Sequence, residues 1–364
     1  MNDRKYWLGF SLVPEIGPRR LTHLINVFGD AAAAWNASEL QLRRSGLERR
    51  PVENLLQTRA RLDLDAEMAK VARVGARLVT LADEEYPALL RQIAEAPAVM
   101  YVRGTLEPAD AQALSIVGTR KATAYGREAA HELARQLARD GITVVSGLAH
   151  GIDTAAHTGA LAGGGRTLAV LGCGIDRVYP ADNHALAEAI TRQGALLSEF
   201  PIGTPPDGRN FPRRNRVISG LALGVLVVEA PENSGALITA AVAADQGREV
   251  FAVPGNIFNP SGRGSNRLIQ DGAKLVMGVD DILLELNLAL RNVQTQAATE
   301  RIAPASMTEA RLLENLSADP VHVDDLARLC DLPIATVTST LVILELKGLA
   351  RMVGPMQYSL IRDH

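Results

Sequence analysis

A short basic stretch, Phe211-Pro212-Arg213-Arg214-Asn215-Arg216, carries residue types suited to gripping a polyanion. Residues 203–216 hold four arginines, including Arg209, against a single acid, Asp207. Guanidinium groups bind phosphate oxygens, and an aromatic face stacks on an unpaired base. We therefore expect a loop-rich segment over residues 203–220 that contacts a nucleic-acid backbone. A solvated cationic loop or an intersubunit salt-bridge patch is the structural alternative.

Turns of small residues follow most of the predicted strands. Glycine lets a backbone approach an anion closely, and helix N-termini offer free amides. Because the carboxyl ends of parallel strands share one sheet edge, we expect these turns to form a phosphate-binding rim. The turns are Gly118-Thr119-Arg120, Ser146-Gly147-Leu148-Ala149-His150-Gly151, Gly172-Cys173-Gly174 and Ser234-Gly235, with Arg177 and Lys274 adding charge. Glycine used for turn geometry alone is the alternative.

Other chemistries fit these residues less well. No Gly-x4-Gly-Lys-Ser/Thr occurs, which argues against a P-loop nucleotidase. A dinucleotide site at residues 172–177 would need a third glycine where Arg177 stands. Asp153 and His157 lie one helical turn apart, near His150, and could serve as an acid/base pair or as metal ligands. A helix-capping Asp153 and a hydrogen-bonded, packed His157 are the structural alternative, which we favour.

The bulk composition limits the function classes. The chain has 364 residues, 47% of them hydrophobic, and a formal net charge of −3. A polyanion would therefore be held by local loops, since no overall basic field exists. Cys173 and Cys330 fall in different predicted domains and suggest neither a disulfide framework nor a metal cluster. No targeting segment or apolar run of membrane-spanning length is present, so we predict a cytoplasmic protein without membrane, metal or cofactor.

The pattern along the chain predicts three domains. Residues 1–80 read as short helices interrupted at Ile16-Gly17-Pro18 and Ser45-Gly46-Leu47, with arginine pairs just beyond both turns. This segment suits a helix-hairpin-helix module that contacts DNA phosphates, or a small helical dimerisation or packing domain. Residues 81–289 alternate between strands and helices, which predicts a Rossmann-like parallel sheet covered on both faces. Its predicted strands are 114–117, 142–145, 167–171, 195–198, 225–229, 250–253 and 274–277, with helices at 124–139, 153–162 and 237–246.

A linker at residues 290–305 and a winged-helix domain at residues 306–364 complete the predicted organisation. Its predicted helices are 308–316, 323–329 and 335–347, followed by a hairpin at 350–361. The predicted recognition helix begins Ile334-Ala335-Thr336-Val337 and offers threonines and apolar residues, where DNA contacts usually need Arg, Lys, Asn or Gln. We therefore expect this domain to bind protein more than DNA.

Six motifs in order make residues 81–289 resemble the DNA-processing protein A family, DprA/Smf. The motifs are Ile116-Val117-Gly118-Thr119-Arg120; Ser146-Gly147-Leu148-Ala149-His150-Gly151-Ile152-Asp153 with Ala156-His157; Val170-Leu171-Gly172-Cys173-Gly174-Ile175-Asp176 with Tyr179-Pro180; residues 211–216; Glu229-Ala230 with residues 234–240; and residues 247–255. The order of a helical N-terminal region, a Rossmann-like core and a winged helix is also similar to the longer family members.

The resemblance implies a homodimeric protein, not an enzyme, that binds single-stranded DNA. It also implies loading of a RecA-type recombinase during natural transformation and in DNA repair. Double-stranded DNA and a single-strand-binding protein are further candidate partners. On this basis, Arg120 and Arg177 would line the DNA pocket. The full set of candidate DNA-binding residues is Gly118, Thr119, Arg120, Lys121, Ser146, Gly147, Gly151, Arg177, Arg209, Phe211, Arg213, Asn215, Arg216, Ser234, Gly235 and Lys274.

An enzyme remains the alternative hypothesis, namely a nucleotide phosphoribohydrolase of the lysine-decarboxylase-like group. That group shows Pro-Gly-Gly-x-Gly-Thr with a glutamate further on. The comparable place here reads Glu232-Asn233-Ser234-Gly235-Ala236, and no acid follows before Asp245. The expected catalytic carboxylate is therefore missing from the sequence.

Overall fold

The computed structural model describes residues 3–286, 307–317, 320–346, 349–354 and 356–360. The chain divides into two compact units, Met1–Ile282 and Leu283–His364. The first unit therefore includes both the N-terminal helices and the α/β core. The predicted linker, residues 290–305, lies outside the described residues, and the predicted domain limits stay a prediction.

The N-terminal region is helical up to residue 73. Helices α1 to α6 are Arg4–Ser11, Pro18–Phe28, Ala31–Asn36, Glu39–Arg44, Arg49–Arg61 and Leu64–Arg73. Pro18 begins α2 because a first-turn residue needs no backbone N–H, and Gly17 is its N-cap. The predicted helical stretch to residue 80 was too long, since Arg77–Thr80 forms strand β1. Successive β1 residues Leu78 and Val79 face two different hydrophobic cores, the period-two pattern of a strand.

Nine strands form one sheet in the order β1-β2-β6-β5-β4-β3-β7-β8-β9. Strands β1 to β9 are Arg77–Thr80, Val99–Gly104, Ala113–Val117, Thr143–Ser146, Thr167–Val170, Gly194–Ser198, Gly224–Val227, Glu249–Ala252 and Lys274–Leu275. From β6 to β9 neighbouring strands are parallel, which confirms the predicted core. The antiparallel strands β1 and β2 extend it beyond the prediction.

Hydrophobic cores on both faces explain the nearly continuous apolar strands. Along β2, Val99 and Tyr101 belong to the core that includes the N-terminal helices, whereas Met100 and Val102 belong to the opposite core. A strand covered on both faces must be apolar at successive positions. The N-terminal helices therefore act as one of the sheet's covering layers.

The helices of the core connect successive strands, except for the last one, which follows β9. Helices α7 to α14 are Ala88–Arg91, Ala124–Arg139, Ile152–Ala162, His184–Gln193, Asn210–Gly220, Gly235–Asp245, Arg263–Gln270 and Val279–Glu285. The loop predicted over residues 203–220 is wrong in its second half, where α11 begins at Asn210. Pro212 falls in the first helical turn, where a missing N–H is tolerated, and buried Val217 and Ile218 anchor the helix.

The second unit forms the predicted winged helix. Its elements are α15 Met307–Asn315, β10 Val321–His322, α16 Val323–Cys330, α17 Ile334–Leu346, β11 Ala350–Gly354 and β12 Gln357–Leu360. The strands pair in the order β10-β12-β11, and Leu326, Leu341 and Tyr358 share its core. Among the described residues no single helix could cross a membrane; α16 and α17 together are long and apolar enough but are bent by 109°.

Candidate nucleic-acid interface

A cleft of about 340 Å³ lies at the carboxyl ends of β3, β4 and β7. Four chain segments form its walls, namely the turns after these three strands and one face of the segment at residues 210–220. The predicted site residues that line it are Gly118, Thr119, Arg120, Phe211, Asn215, Ser234 and Gly235. We call this space the cleft. The predicted convergence of the strand-end turns is thus found for three of the segments.

A buried carboxylate fixes the turn after β3. Glu229 lies just after β7, and its Oε2 accepts a hydrogen bond from the Thr123 amide at 2.8 Å. Its backbone carbonyl accepts the Thr119 amide at 2.7 Å. Glu229 is 4% exposed, so it acts as an internal brace for the Thr119-Arg120 turn. The turn is therefore held in place before any ligand arrives.

Glycines around the cleft serve different purposes. A Cβ on Gly147 would lie 2.5 Å from the Arg214 guanidinium, and one on Gly151 would lie 2.3 Å from the Thr119 carbonyl. These two glycines are required by packing inside the protein. Gly235, the first residue of α12, has open space where its Cβ would be, and nothing among the described residues accepts from its amide. A free amide at this helix N-terminus suits an anion.

Arg214 lies beneath the cleft and was not among the predicted site residues. Its Nη1 donates to the carbonyls of Gly147, at 2.7 Å, and Val170, which joins the ends of β4 and β5. Burial lowers the pKa of this guanidinium, while nearby Asp153 acts in the opposite direction. Helical periodicity would have found it, because Phe211, Arg214, Asn215 and Ile218 follow an i, i+3, i+4, i+7 pattern and all line the cleft.

Arg120 is the available cation of the cleft. Its guanidinium carbon lies 4.7 Å from the centre of the Phe211 ring, a cation–π contact. Among the described residues no carboxylate lies within ion-pair distance of Arg120. Tyr179, also absent from the predicted site, stands next to Phe211 with ring centres 6.1 Å apart. Phe211 is thus an internal support for Arg120, a role that its sequence context did not indicate.

Arg213 and Arg216 face the other side of α11. Together with Gly17, Pro18, Arg19 and Arg20 they line a separate space of about 1080 Å³, which we call the groove. Glu199, with a side chain only 8% exposed, pairs with Arg216 and lies 3.8 Å from Arg213. Burial raises the pKa of Glu199, and the two arginines partly offset this effect. The structure therefore separates the six-residue basic stretch into two sites.

The remaining predicted residues do not line the cleft. Arg177 is half exposed and lies 3.8 Å from Asp176, and Lys121 is exposed on the turn after β3. Arg209 pairs with Asp207 at 2.9 Å. Ser146 donates its hydroxyl to the Ile116 carbonyl at 2.6 Å and is buried. Lys274 lies on the edge strand β9, separated from β7 by β8, so it does not line the cleft.

The histidine cluster is structural, as we favoured from the sequence, but the N-cap of α9 is Gly151 and not Asp153. His157 is fully buried, its Nδ1 lies 2.7 Å from Thr167 Oγ1, and burial lowers its pKa to about 3. Asp153 accepts the Ala149 amide at 3.3 Å near the start of α9, whereas exposed His150 lies near Asp182. Within the described ranges no three His, Cys, Asp or Glu side chains form a metal site. Asp245, the first acid in α12, lines the groove and not the cleft.

Comparisons with known proteins identify the family of the chain. A family model described as DNA recombination-mediator protein A matches residues 77–287, and one for the DprA winged helix domain matches residues 296–354. Protein Smf of Synechocystis sp. is 33% identical and aligns over 98% of both chains.

Two solved structures are also similar. The X-ray structure of DNA processing protein A from Streptococcus pneumoniae has a TM-score of 0.67 and 34% identity, covering 78% of this chain and 98% of that one. DNA processing protein A from Helicobacter pylori gives a TM-score of 0.53 and 28% identity, covering 59% and 97%. The predicted resemblance is confirmed: the chain belongs to the DprA/Smf family of DNA-processing proteins.

Proposed function

We propose that this protein binds single-stranded DNA in the cleft without reading its sequence. The observation that carries the proposal is Arg120, an exposed guanidinium without a carboxylate partner among the described residues, held over Phe211 at the cleft wall. The free amide of Gly235 faces the same space. Guanidinium and amide groups bind phosphate oxygens of any sequence. Support also comes from the Helicobacter pylori relative, whose structure is described as showing a single-stranded DNA binding mode.

The wider role follows from the family. We propose that the protein acts as a recombination mediator, which protects incoming single strands and loads a RecA-type recombinase during natural transformation and in DNA repair. The description of the matching family model as a recombination mediator supports this role. A single-strand-binding protein and double-stranded DNA are further proposed partners. Arg177 and Lys121, both exposed, would add charge at the edges of the cleft.

A homodimer is part of the proposal. Large apolar side chains are exposed just after the last two strands at one edge of the sheet, Ile257 and Phe258 after β8 and Met277 after the edge strand β9. Phe258 is 86% exposed, an unfavourable state for a phenylalanine in water. Exposed apolar surface at a sheet edge is typical of an association site. These residues support self-association through this edge.

The winged helix is proposed to contact protein. No basic residue occurs in α17, and Ile334, Val342 and Ile343 of this helix are exposed. Readers of duplex DNA need hydrogen-bonding or cationic side chains on this helix. An apolar face suits a protein surface instead. The recombinase is one partner of that kind.

The test of the proposed function is a salt titration on the full-length protein. Binding of oligothymidylate should weaken as salt rises, by about 0.7 log units per phosphate contact for each log unit of salt. Arg120→Ala should weaken binding about tenfold or more, because a charge-assisted hydrogen bond is lost, and should reduce the salt slope by about 0.7. Fluorescence anisotropy at four or more salt concentrations measures both quantities.

Arg139→Ala is the matched control. This exposed arginine ends α8, whereas Arg120 precedes the start of the same helix, about 24 Å away along its axis. It should bind like the wild type. The proposal fails if Arg120→Ala keeps both the affinity and the salt slope of the wild type.

A further inference from the structure

Tyr179 is an exposed aromatic side chain beside the cleft. It is 45% exposed, and its ring lies 6.1 Å from that of Phe211 at an angle of 35°. Among the described residues nothing accepts a hydrogen bond from its hydroxyl. A tyrosine that is neither buried nor hydrogen-bonded retains a free ring face. The phosphate contacts proposed above make no use of it.

Phe211, in contrast, has little ring surface left for a ligand. The guanidinium of Arg120 lies 4.7 Å from its centre and that of Arg214 lies 5.8 Å away. Its edge packs so closely on Gly172 that a Cβ there would approach the ring to 2.8 Å. The ring is therefore engaged by the protein itself. Base stacking predicted for Phe211 from the sequence would be better served by its neighbours.

The backbone around Tyr179 is fixed on both sides. Before it, the Cys173 thiol contacts the Arg177 carbonyl at 3.3 Å. After it, Pro180 is buried and the side-chain Nδ2 of Asn183 donates to the Leu148 carbonyl at 2.9 Å. A side chain on a fixed backbone loses less entropy when a ligand packs against it. Tyr179 is thus presented to solvent in a defined position.

We infer that Tyr179 and the outer face of Arg120 form a stacking subsite for an unpaired nucleobase. This inference rests on the proposed function, because the cleft must first hold the strand's phosphates. Base stacking on tyrosine and on guanidinium planes is sequence-tolerant and needs no hydrogen-bond readout. The bases of a duplex are already stacked on each other, so the subsite distinguishes single from double strands. The cleft alone, which binds phosphate, gives no such distinction.

The experiment compares two ligands that carry the same number of phosphates. One is a short oligothymidylate, and the other has the same length with abasic sites in place of every base. Full-length wild type should bind the thymidylate at least about fivefold more tightly, from one stacked base. Tyr179→Ala should bind both ligands with nearly equal affinity, whereas Tyr179→Phe should keep the preference. Tyr125→Ala, at another exposed tyrosine, should also keep it.

The outcomes separate the inference from the proposed function. If wild type binds neither ligand, the proposed function fails and the inference fails with it. If wild type binds both equally, or if Tyr179→Ala retains the full preference, the inference is overturned while phosphate binding stands. A purely structural role for Tyr179 would lower both affinities by the same factor and leave their ratio unchanged, which also overturns it. Only loss of the ratio, with binding of the abasic ligand retained, supports the subsite.

Discussion

The spaces on the two sides of α11 contain arginines in different electrostatic situations. On the cleft side, Arg120 has no carboxylate partner among the described residues and Arg214 is held by backbone carbonyls. On the groove side, Arg213 and Arg216 approach a nearly buried Glu199. A guanidinium that already faces a carboxylate has less to gain from a phosphate. The difference shows that the number of arginines in a stretch does not give the charge available to a ligand.

The groove also brings acids of its own. Glu95 and Asp245 line it together with Arg19 and Arg20 of the N-terminal helices. Arg20 donates to the Glu15 carbonyl and to Glu48, so part of its charge is already used. The N-terminal turn that would belong to a helix-hairpin-helix module therefore lies among both acidic and basic side chains. A polyanion is expected to favour the cleft.

Substitution of Gly147 should have the largest effect on the cleft side. In Gly147→Ala the new Cβ would overlap the Arg214 guanidinium, which is buried and cannot move without losing its carbonyl partners. We expect a loss of about 1–3 kcal/mol in the free energy of unfolding. Single-strand binding should weaken about tenfold, since Arg214 packs against Phe211, the ring on which Arg120 lies. Urea denaturation and anisotropy measure the two effects.

Gly208→Ala is the control for this substitution. Gly208 has nothing within 4 Å of its Cβ position, so the variant should match the wild type in both measurements. If Gly147→Ala is destabilised but binds single strands normally, Arg214 does not organise the cleft. Arg120 alone would then account for stronger DNA binding on the cleft side of α11 than on the groove side.

Buried His157 should make the folded protein less stable in acid. Burial and nearby Arg214 lower the pKa of His157 from its ordinary 6.5 to about 3. Below pH 6.5 the unfolded chain gains a proton that the native state does not bind, so stability falls as the pH drops towards 3. At pH 5 this residue should cost about 2 kcal/mol of stability relative to pH 7. Urea denaturation at both values, followed by the fluorescence of buried Trp7 and Trp35, measures it.

The test variant is His157→Gln, with the exposed His184→Gln as the control. His157→Gln should lose about 2 kcal/mol less stability than the wild type between pH 7 and pH 5, whatever its stability at pH 7. The control should lose as much as the wild type. Equal pH dependence in all three proteins would show that His157 is not held neutral.

The sequence predicted the parallel core and the winged helix because their signals are local. Strands β3 to β8 are short apolar runs separated by helical patterns, and a parallel sheet buried on both faces requires such runs. The convergence of the turns at Gly118, Gly147 and Gly235 followed from one topological rule for parallel sheets. Those parts of the site could be inferred without coordinates.

The orientation of side chains around α11 follows from helical spacing only once this segment is recognised as a helix. Pro212 and the run of arginines favoured a loop, and only a helix places Arg214 beneath the cleft while Arg213 points to the groove. The pairing of Arg216 with Glu199 joins residues from two segments, so it depends on tertiary structure. Tyr179 is placed beside Phe211 by the packing of distant turns. Such contacts have no local sequence signal.

Arg213→Ala gives the smallest expected effect and the sharpest test of the comparison. Because Glu199 already partly neutralises this exposed arginine, single-strand affinity should fall less than about threefold, against about tenfold for Arg120→Ala. Anisotropy at one low salt concentration measures both variants together with Arg139→Ala. If Arg213→Ala weakens binding as strongly as Arg120→Ala, the bound DNA must pass over α11 and enter the groove. In that case Arg19→Ala, which also lines the groove, should weaken binding as well.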